Sequence, residues 1–446
     1  MSGIAWMLHD LWYTNIICID AIQSELTDRL QTKWLKVIIG HGKYKIQFWD
    51  TIIYSEATAE SEEIIEAKKL RKDKRKIMVI LNYFQFLGEI SKYFSTTWFA
   101  GTNGKSSTTA LAIHTAKKNL PNFGLGILWA LVPSFDNKSY IINTKAKKDI
   151  RNIFDYIFTG KALDYTNIKK RSFFVEACEY KRHFLNLDLD YTIITSLELD
   201  HTDYYKDMKD YLSAFDQLIN RTKQKVFVPK WLKGITSPKI QEVNVKKIAF
   251  NHLIGEHNSI NGSLVLKLLK TLSKETKTKI TSSLKTFWWI WRRMEYLTTN
   301  TNGAKIFTDY WHMASSIDFG YEALKQKFPD KKIFVIFQPH QINRIVTWRK
   351  DFQNALKKYD KILIYDIYAA RENLWNLIKK IPTLKDIKTL KQLGDKFAKA
   401  CWGNYTDKFE DITKEIKQAN KDTIIVIYSA GNVDYKIRCR KSHKEF

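Results

Sequence analysis

Residues 100–109 read Ala-Gly-Thr-Asn-Gly-Lys-Ser-Ser-Thr-Thr, directly after the apolar pair Trp98-Phe99. The residue types suit a nucleoside triphosphate. Gly101 and Gly104 let the backbone turn tightly and bring its N–H groups near phosphate oxygens. Lys105 offers a positive charge to the β- and γ-phosphates, and the Ser106 hydroxyl is a ligand for Mg²⁺. Thr102, Asn103 and Ser107 complete the candidate ATP loop. The run from Thr108 to Ala116 suits a helix whose N-terminus faces the anion. The spacing G-x-x-G-K-S is two residues shorter than the general phosphate-loop pattern. A glycine turn before a helix with a surface lysine is the competing reading.

Two acidic motifs support the first reading. Val175-Glu176-Ala177-Cys178-Glu179-Tyr180 and Leu197-Glu198-Leu199-Asp200-His201-Thr202-Asp203 each follow an apolar strand-like run. Each puts a carboxylate or an imidazole where a strand ends; hard oxygen ligands suit Mg²⁺, and a neutral histidine completes such a site. A strand-end carboxylate alone is more often a cap. Downstream, Asn258 and Asn261 stand one helical turn apart. Trp291-Arg292-Arg293-Met294-Glu295 offers two guanidiniums suited to phosphate. Further polar groups follow apolar runs at Thr308-Asp309-Tyr310-Trp311-His312, at Phe337-Gln338-Pro339-His340 with Arg344 beyond, and at Asp366–Glu372.

These residues need an α/β framework, because ligands collect at the carboxyl ends of strands in open sheets. Strands are predicted at Asn15–Asp20, Val37–Ile39 and Thr51–Tyr54, followed by a helix at Glu60–Lys69. A second unit opens near Thr96, with strands at Phe173–Ala177 and Tyr191–Ser196. Between them, Asn137–Arg171 is polar and Lys-rich and is read as an excursion rather than core. A link is expected near Glu295–Asn302. A third unit alternates strands Lys305–Thr308, Ile333–Phe337, Lys361–Tyr365 and Thr423–Tyr428 with helices Ile317–Lys327 and Arg349–Lys358. The basic tail Arg438–Phe446 is expected to fray.

At 446 residues the chain has room for two or three domains. The formal net charge of +26 raises nucleic acid as a partner. The lysines are spread through the whole chain and no aromatic-basic stacking module stands out, so the expectation is no nucleic-acid partner. No apolar run reaches membrane-spanning length, so no membrane partner is expected. Four scattered cysteines without a C-x-x-C pair fit a reducing, cytoplasmic setting. Glycine and tryptophan are jointly unusual. Glycine supplies 17 of 446 residues against an average near ~7%, and tryptophan supplies 14. Their sum restores the ordinary glycine share.

The ordered set AGTNGKSSTT, VEACEY, ELDHTDYY, GEHNSIN, RRME, TDYWH, FQPH, DIYAARE and SAGN resembles the Mur ligase family over almost the whole chain. The resemblance implies three α/β domains. These are a Rossmann-like uridine-nucleotide domain over residues 1–93, a P-loop ATPase-like domain over 94–296, and a Rossmann-like closing domain over 297–446. It implies ATP-dependent joining of L-alanine to the carboxylate of UDP-N-acetylmuramate through an acyl phosphate, with ATP and Mg²⁺. A ligase attaching a recycled peptide to the same nucleotide sugar, or a nucleotide-binding remnant, are the other readings.

Carried over residue by residue, Lys105 holds the γ-phosphate, Ser106 and Glu176 bind metal, and His201 ligates a second Mg²⁺. Asn258 and Asn261 face the nucleotide, and Arg293 and Asp309 reach the ATP. Tyr310, His312, His340 and Arg344 line the amino-acid site. The opening Met1-Ser2-Gly3-Ile4-Ala5 resembles the tail of the uridine-nucleotide loop, which places Ser2 at the sugar nucleotide and implies that the preceding strand is missing. Met313 and Gln341 replace the usual His and Arg of the amino-acid pocket. Trp12, Trp34, Trp289 and Trp311, with Trp291 as a fifth candidate, stand where the family carries glycine. The expectation is a set of glycine positions written as tryptophan.

Overall fold

The computed structural model describes residues 1–72, 78–161, 163, 171–310, 313–370 and 372–442. Two compact units emerge. One comprises residues 1–248 and 260–287, the other 249–259 and 288–446. Both are α/β.

The first unit begins with two small parallel pairs. Strand β1 (Ile17–Asp20) pairs with β2 (Lys36–Ile39), and β3 (Ile52–Tyr54) with β4 (Ile80–Asn82). The expected acidic-to-basic helix runs over Glu62–Arg71. Its Glu62 and Glu63 sit in the first turn and Lys68, Lys69 and Arg71 in the last, which complements the helix dipole.

The main sheet of this unit contains β5 (Ser95–Ala100), β6 (Phe123–Val132), β7 (Lys138–Ile142), β8 (Ser172–Glu176), β9 (Tyr191–Ile194), β10 (Lys225–Pro229) and β11 (Ile240–Val243). Their order is β11-β10-β9-β5-β8-β6-β7. All neighbours are parallel except β6 and β7. Strand β5 is buried on both faces, as its unbroken apolar run Trp98-Phe99-Ala100 demands. It lies between β8 and β9, so the loops leaving these three strands emerge side by side. The helix after β5, Lys105–Asn119, buries Ala110, Leu111, Ala112, Ile113 and Ala116. Its buried Thr108 and Thr115 satisfy their hydroxyls on the carbonyls four residues back.

Much of the stretch 137–171, read as an excursion, is part of this core where it is described, over 138–142 and 147–159. Strand β7 closes the sheet edge antiparallel to β6. The helix Lys147–Thr159 buries Ile150, Ile153 and Phe154, an i, i+3, i+4 stripe hidden among charged and polar residues.

The second unit has a six-stranded sheet of β12 (Glu295–Thr299), β13 (Lys305–Asp309), β14 (Lys332–Gln338), β15 (Lys361–Tyr365), β16 (Asn404–Thr406) and β17 (Thr423–Ser429), ordered β12-β13-β17-β14-β15-β16. Only β12 runs antiparallel. Alternation along β17 sends Ile424, Val426 and Tyr428 to one core and Ile425 and Ile427 to the other. The expected link near Glu295–Asn302 is instead largely the edge strand β12. The expected frayed tail is ordered as far as Ser442, in the helix Val433–Ser442. Val433 and Ile437 are buried there, and Arg438 pairs with Asp434 at 2.9 Å and Glu295 at 2.6 Å.

Twelve described non-glycine residues have positive φ, and three are tryptophans: Trp12 (65°), Trp34 (62°) and Trp402 (58°). Each follows a helix: Ser2–Asp10, Glu25–Gln31 and Leu390–Ala400. Their N–H groups donate to His9, Gln31 and Lys399, three residues back. The next amides, of Tyr13, Leu35 and Gly403, donate five residues back to Leu8, Leu30 and Ala398. This is the Schellman closure, whose left-handed position belongs to glycine. Gly160 takes the left-handed place after Lys147–Thr159, at φ 69°, with its N–H donating four residues back to Tyr156. Trp289 and Trp291 are not among the positive-φ residues, and Trp311 lies outside the described residues.

Trp34, 96% exposed, carries the left-handed cost without burial to offset it. Trp34→Gly is therefore expected to raise stability by about 1 kcal/mol, read from the urea midpoint. A fall in the midpoint contradicts this account of the turn.

Candidate active site

The loop leaving β5 is built by the strand beside it. Thr195 and Ser196, at the end of β9, bind its backbone. The Thr102 N–H donates to the Ser196 carbonyl at 3.0 Å, the Asn103 N–H donates to Ser196 Oγ at 2.8 Å, and Thr195 Oγ1 donates to the Asn103 carbonyl at 2.5 Å. Thr102 Oγ1 reaches the Glu198 carbonyl at 2.7 Å and the Tyr211 hydroxyl at 2.9 Å. Gly101 has φ 124°, and a Cβ there would lie 2.4 Å from Thr195 Oγ1. Gly104, at φ 84°, is the N-cap of the helix Lys105–Asn119. Both positions require glycine, and the result is a helix N-terminus approached by bare backbone. Ser107 is half-buried in the first turn of that helix.

The Lys105 ammonium folds over this loop. It donates to the Gly101 carbonyl at 2.5 Å and the Thr102 carbonyl at 3.0 Å, and pairs with Glu179 Oε1 at 2.9 Å. Burial pulls the lysine pKa down, but the Glu179 charge outweighs it and the net direction is up. Burial pushes the Glu179 carboxyl up, and Lys105 and His201 reverse this to a net lowering. His201 Nε2 stands 3.6 Å from Glu179 Oε1 and 3.8 Å from Asp200 Oδ2. Its burial disfavours the imidazolium, yet these carboxylates raise its pKa overall. The Tyr180 ring packs against the imidazole at 4.8 Å between centroids.

On the other side of β5, at the end of β8, Ser106 Oγ donates to Glu176 Oε1 at 2.7 Å. Glu176 Oε2 accepts from the Trp129 N–H at 2.9 Å. Asn261 is buried, and its carbonyl oxygen lies against Gly104. The first unit therefore brings together Gly101, Thr102, Asn103, Gly104, Lys105, Ser106, Ser107, Glu176, His201 and Asn261. Ser2 starts the first helix, far along the chain from this loop.

The donor set fits a nucleotide phosphate with a hard divalent cation. Glu179, Asp200 and His201 offer ligand atoms within 4.8 Å of one another. Glu179 Oε2 is buried without a hydrogen-bond partner. Together with Ser106 and Glu176, these groups are the oxygen-rich ligands that Mg²⁺ prefers.

The second unit holds the remaining candidates. Asp309 ends β13 and is buried. Its Oδ2 accepts from the Met294 N–H at 2.7 Å, and its Oδ1 has no hydrogen-bond partner. Burial pushes its carboxyl up to about 8, against the opposing pull of Arg293. The two neighbouring arginines have separate roles. Arg292 is buried, with Nε 3.3 Å from Asp434 Oδ2, and ties β12 to the last helix. Arg293 donates to the Tyr310 carbonyl at 3.2 Å and lies over the Tyr310 ring. Asn258 donates to the Ile254 carbonyl at 2.7 Å, beside His257, whose pKa burial lowers to about 4. His340 stacks on Tyr368 at 5.7 Å, and Arg344 is buried in the short helix that Gln341 caps. His312 lies outside the described residues.

Residues 99–252 match the Mur ligase middle domain. Over this segment the chain carries a Mur ligase middle domain, and the relatives extend the likeness over almost its whole length. A UDP-N-acetylmuramate–L-alanine ligase of Lactobacillus acidophilus is 29% identical, over 97% of this chain and 94% of that protein. Among solved structures, the UDP-N-acetylmuramate–alanine ligase of Thermotoga maritima matches with a TM-score of 0.68 at 19% identity, covering 100% of this chain and 97% of that one. A murein peptide ligase of Psychrobacter arcticus matches at 0.60 and 18%, covering 100% and 96%. These likenesses establish the three-domain Mur ligase fold.

Sequence reasoning assigned no role to Glu179, Asp200 or the Thr195-Ser196 pair. Glu179 was visible in the motif of Glu176, but its contact with Lys105 depends on the order of β5 and β8. Glu179→Gln removes the charge facing His201, and the imidazole pKa is expected to fall in an NMR titration; an unchanged value contradicts the pairing. Asp309 is more basic folded than unfolded. The stability it contributes is complete below about pH 4 and is lost as pH rises through about 8. Asp309→Asn should flatten that fall in the urea midpoint between pH 5 and 8. A slope identical to the parent's contradicts the assignment.

Proposed function

We propose that this ligase joins L-alanine to the carboxylate of UDP-N-acetylmuramate, with ATP and Mg²⁺, through an acyl phosphate. The observation that carries the reading is the buried Lys105–Glu179–His201 cluster over a glycine loop, in a chain whose full-length relatives are named for this reaction. A carboxylate oxygen of the sugar nucleotide attacks the γ-phosphorus, and ADP leaves. The amine of L-alanine then attacks the acyl carbon, loses a proton, and phosphate departs with that oxygen. No protein nucleophile is needed. The chain's work is positioning and charge stabilisation.

In this reading the backbone from Gly101 to Ser107 holds the phosphates. Lys105 exchanges its loop carbonyls for the γ-phosphate. Ser106 and Glu176 would hold one Mg²⁺ and His201 a second, and bound cations would neutralise the phosphate charge. Asn258, Asn261, Arg293 and Asp309 serve the nucleotide. Tyr310, His312, His340 and Arg344 serve the amino acid, and Ser2 the sugar nucleotide. The positive net charge favours capture of these anionic substrates. A cytoplasmic location accords with the four free cysteines, and no described helix is long and apolar enough to cross a membrane.

Met313 and Gln341 favour a second reading for the amine. Met313 is buried at the N-cap of the helix Ala314–Lys327, and Gln341 holds φ 69° beside His340. Neither offers the cationic group expected at an amino-acid carboxylate, which leaves room for a peptide amine.

Phosphate release from ATP by the purified protein is expected to require both UDP-N-acetylmuramate and L-alanine. A tripeptide replacing L-alanine with equal efficiency supports the peptide-ligase reading, and release without either acceptor sinks both. Lys105→Ala should lower kcat by roughly 10²–10³-fold.

A further inference from the structure

Trp12, Trp34 and Trp402 share a local geometry that suits another residue. Each occupies the left-handed position of a Schellman closure, with both closing hydrogen bonds formed. A bulky aromatic residue at positive φ is a genuine outlier. Tryptophan makes up 14 of 446 residues yet supplies three of the twelve described positive-φ non-glycine residues, where its share predicts fewer than one.

Exposure is a second, independent observation. Trp12, Trp34 and Trp402 are 55%, 96% and 71% exposed. Tryptophan is among the residues with most area to bury, and proteins bury most of it. Eight of the thirteen described tryptophans are exposed, with Trp49, Trp129, Trp231, Trp288 and Trp375 completing the set. Composition is a third. The glycine deficit and the tryptophan excess cancel to the ordinary glycine share.

We propose that positions 12, 34 and 402 carry glycine in the protein as its own cell makes it, and that the triplet rendered as tryptophan there is UGA decoded as glycine. UGA differs from the glycine codon GGA only in its first base, so a glycine transfer RNA altered in one anticodon base performs the decoding. Glycine enters the left-handed region without a Cβ penalty and removes three exposed indoles. The three helices then end on a left-handed glycine, as Lys147–Thr159 does at Gly160.

The gene and the natural protein decide it. Sequencing is expected to show TGA at all three positions, and TGG at any of them overturns the proposal. Mass spectrometry of the tryptic peptide 400–408 from the natural protein is expected to find glycine at position 402. Tryptophan there overturns the proposal whatever the triplet. A chain carrying W12G, W34G and W402G together should melt several degrees above the chain as written. A lower midpoint would show that the indoles make native contacts and would equally overturn it.

Discussion

An ammonium held inside the protein, where three parallel strands end, is the constraint on which the candidate site depends. Lys105 has a side chain only 14% exposed, and Glu179 only 2%. An unpaired charge at such a place costs several kcal/mol, so the pair must form together. Its formation dictates much around it. Strand β5 must lie between β8 and β9, because β8 delivers Glu179 and β9 delivers the loop carrying His201 and Asp200. The glycine loop must be tight enough for its carbonyls to reach the ammonium. The cluster is charged, buried and only partly satisfied within itself, since Glu179 Oε2 has no hydrogen-bond partner. A polyanion with a divalent cation is the chemistry that completes such an arrangement.

The second unit poses a different electrostatic problem. Asp309 is buried and its carboxyl is held well above the ordinary range, with Arg293 the strongest opposing charge. Arg292 is absorbed into a structural network with Asp434. Of two adjacent guanidiniums, one stabilises the fold and the other remains beside the raised carboxyl. A group with a shifted pKa and an arginine next to it is a common mark of a functional position, although structural ion pairs leave the same mark.

The parts of the fold legible in the sequence were those with one dominant signal. Strand β5 and the loop after it show an apolar run, two glycines and a lysine. The acidic motifs at the ends of β8 and β9 were equally plain. What escaped was whatever depended on a partner distant in sequence. Strand β7 and the helix Lys147–Thr159 looked like a polar excursion because five charged residues outnumber the three buried apolar residues on that helix. The last helix looked frayed because the partner of Arg438 is Glu295, 143 residues away. The separate roles of Arg292 and Arg293 could not be read from adjacent identical residues. The tryptophan anomaly was visible as a composition, but only backbone geometry singled out Trp402 and separated Trp12 and Trp34 from Trp289 and Trp291.

The central claim is that the buried lysine cluster serves phosphoryl transfer to a carboxylate. It is tested most directly by labelling the carboxylate oxygens of UDP-N-acetylmuramate with heavy oxygen and following the label during turnover with ATP and L-alanine. The account predicts one labelled oxygen in the inorganic phosphate for each amide bond formed. Amide formation that leaves the phosphate unlabelled would contradict it.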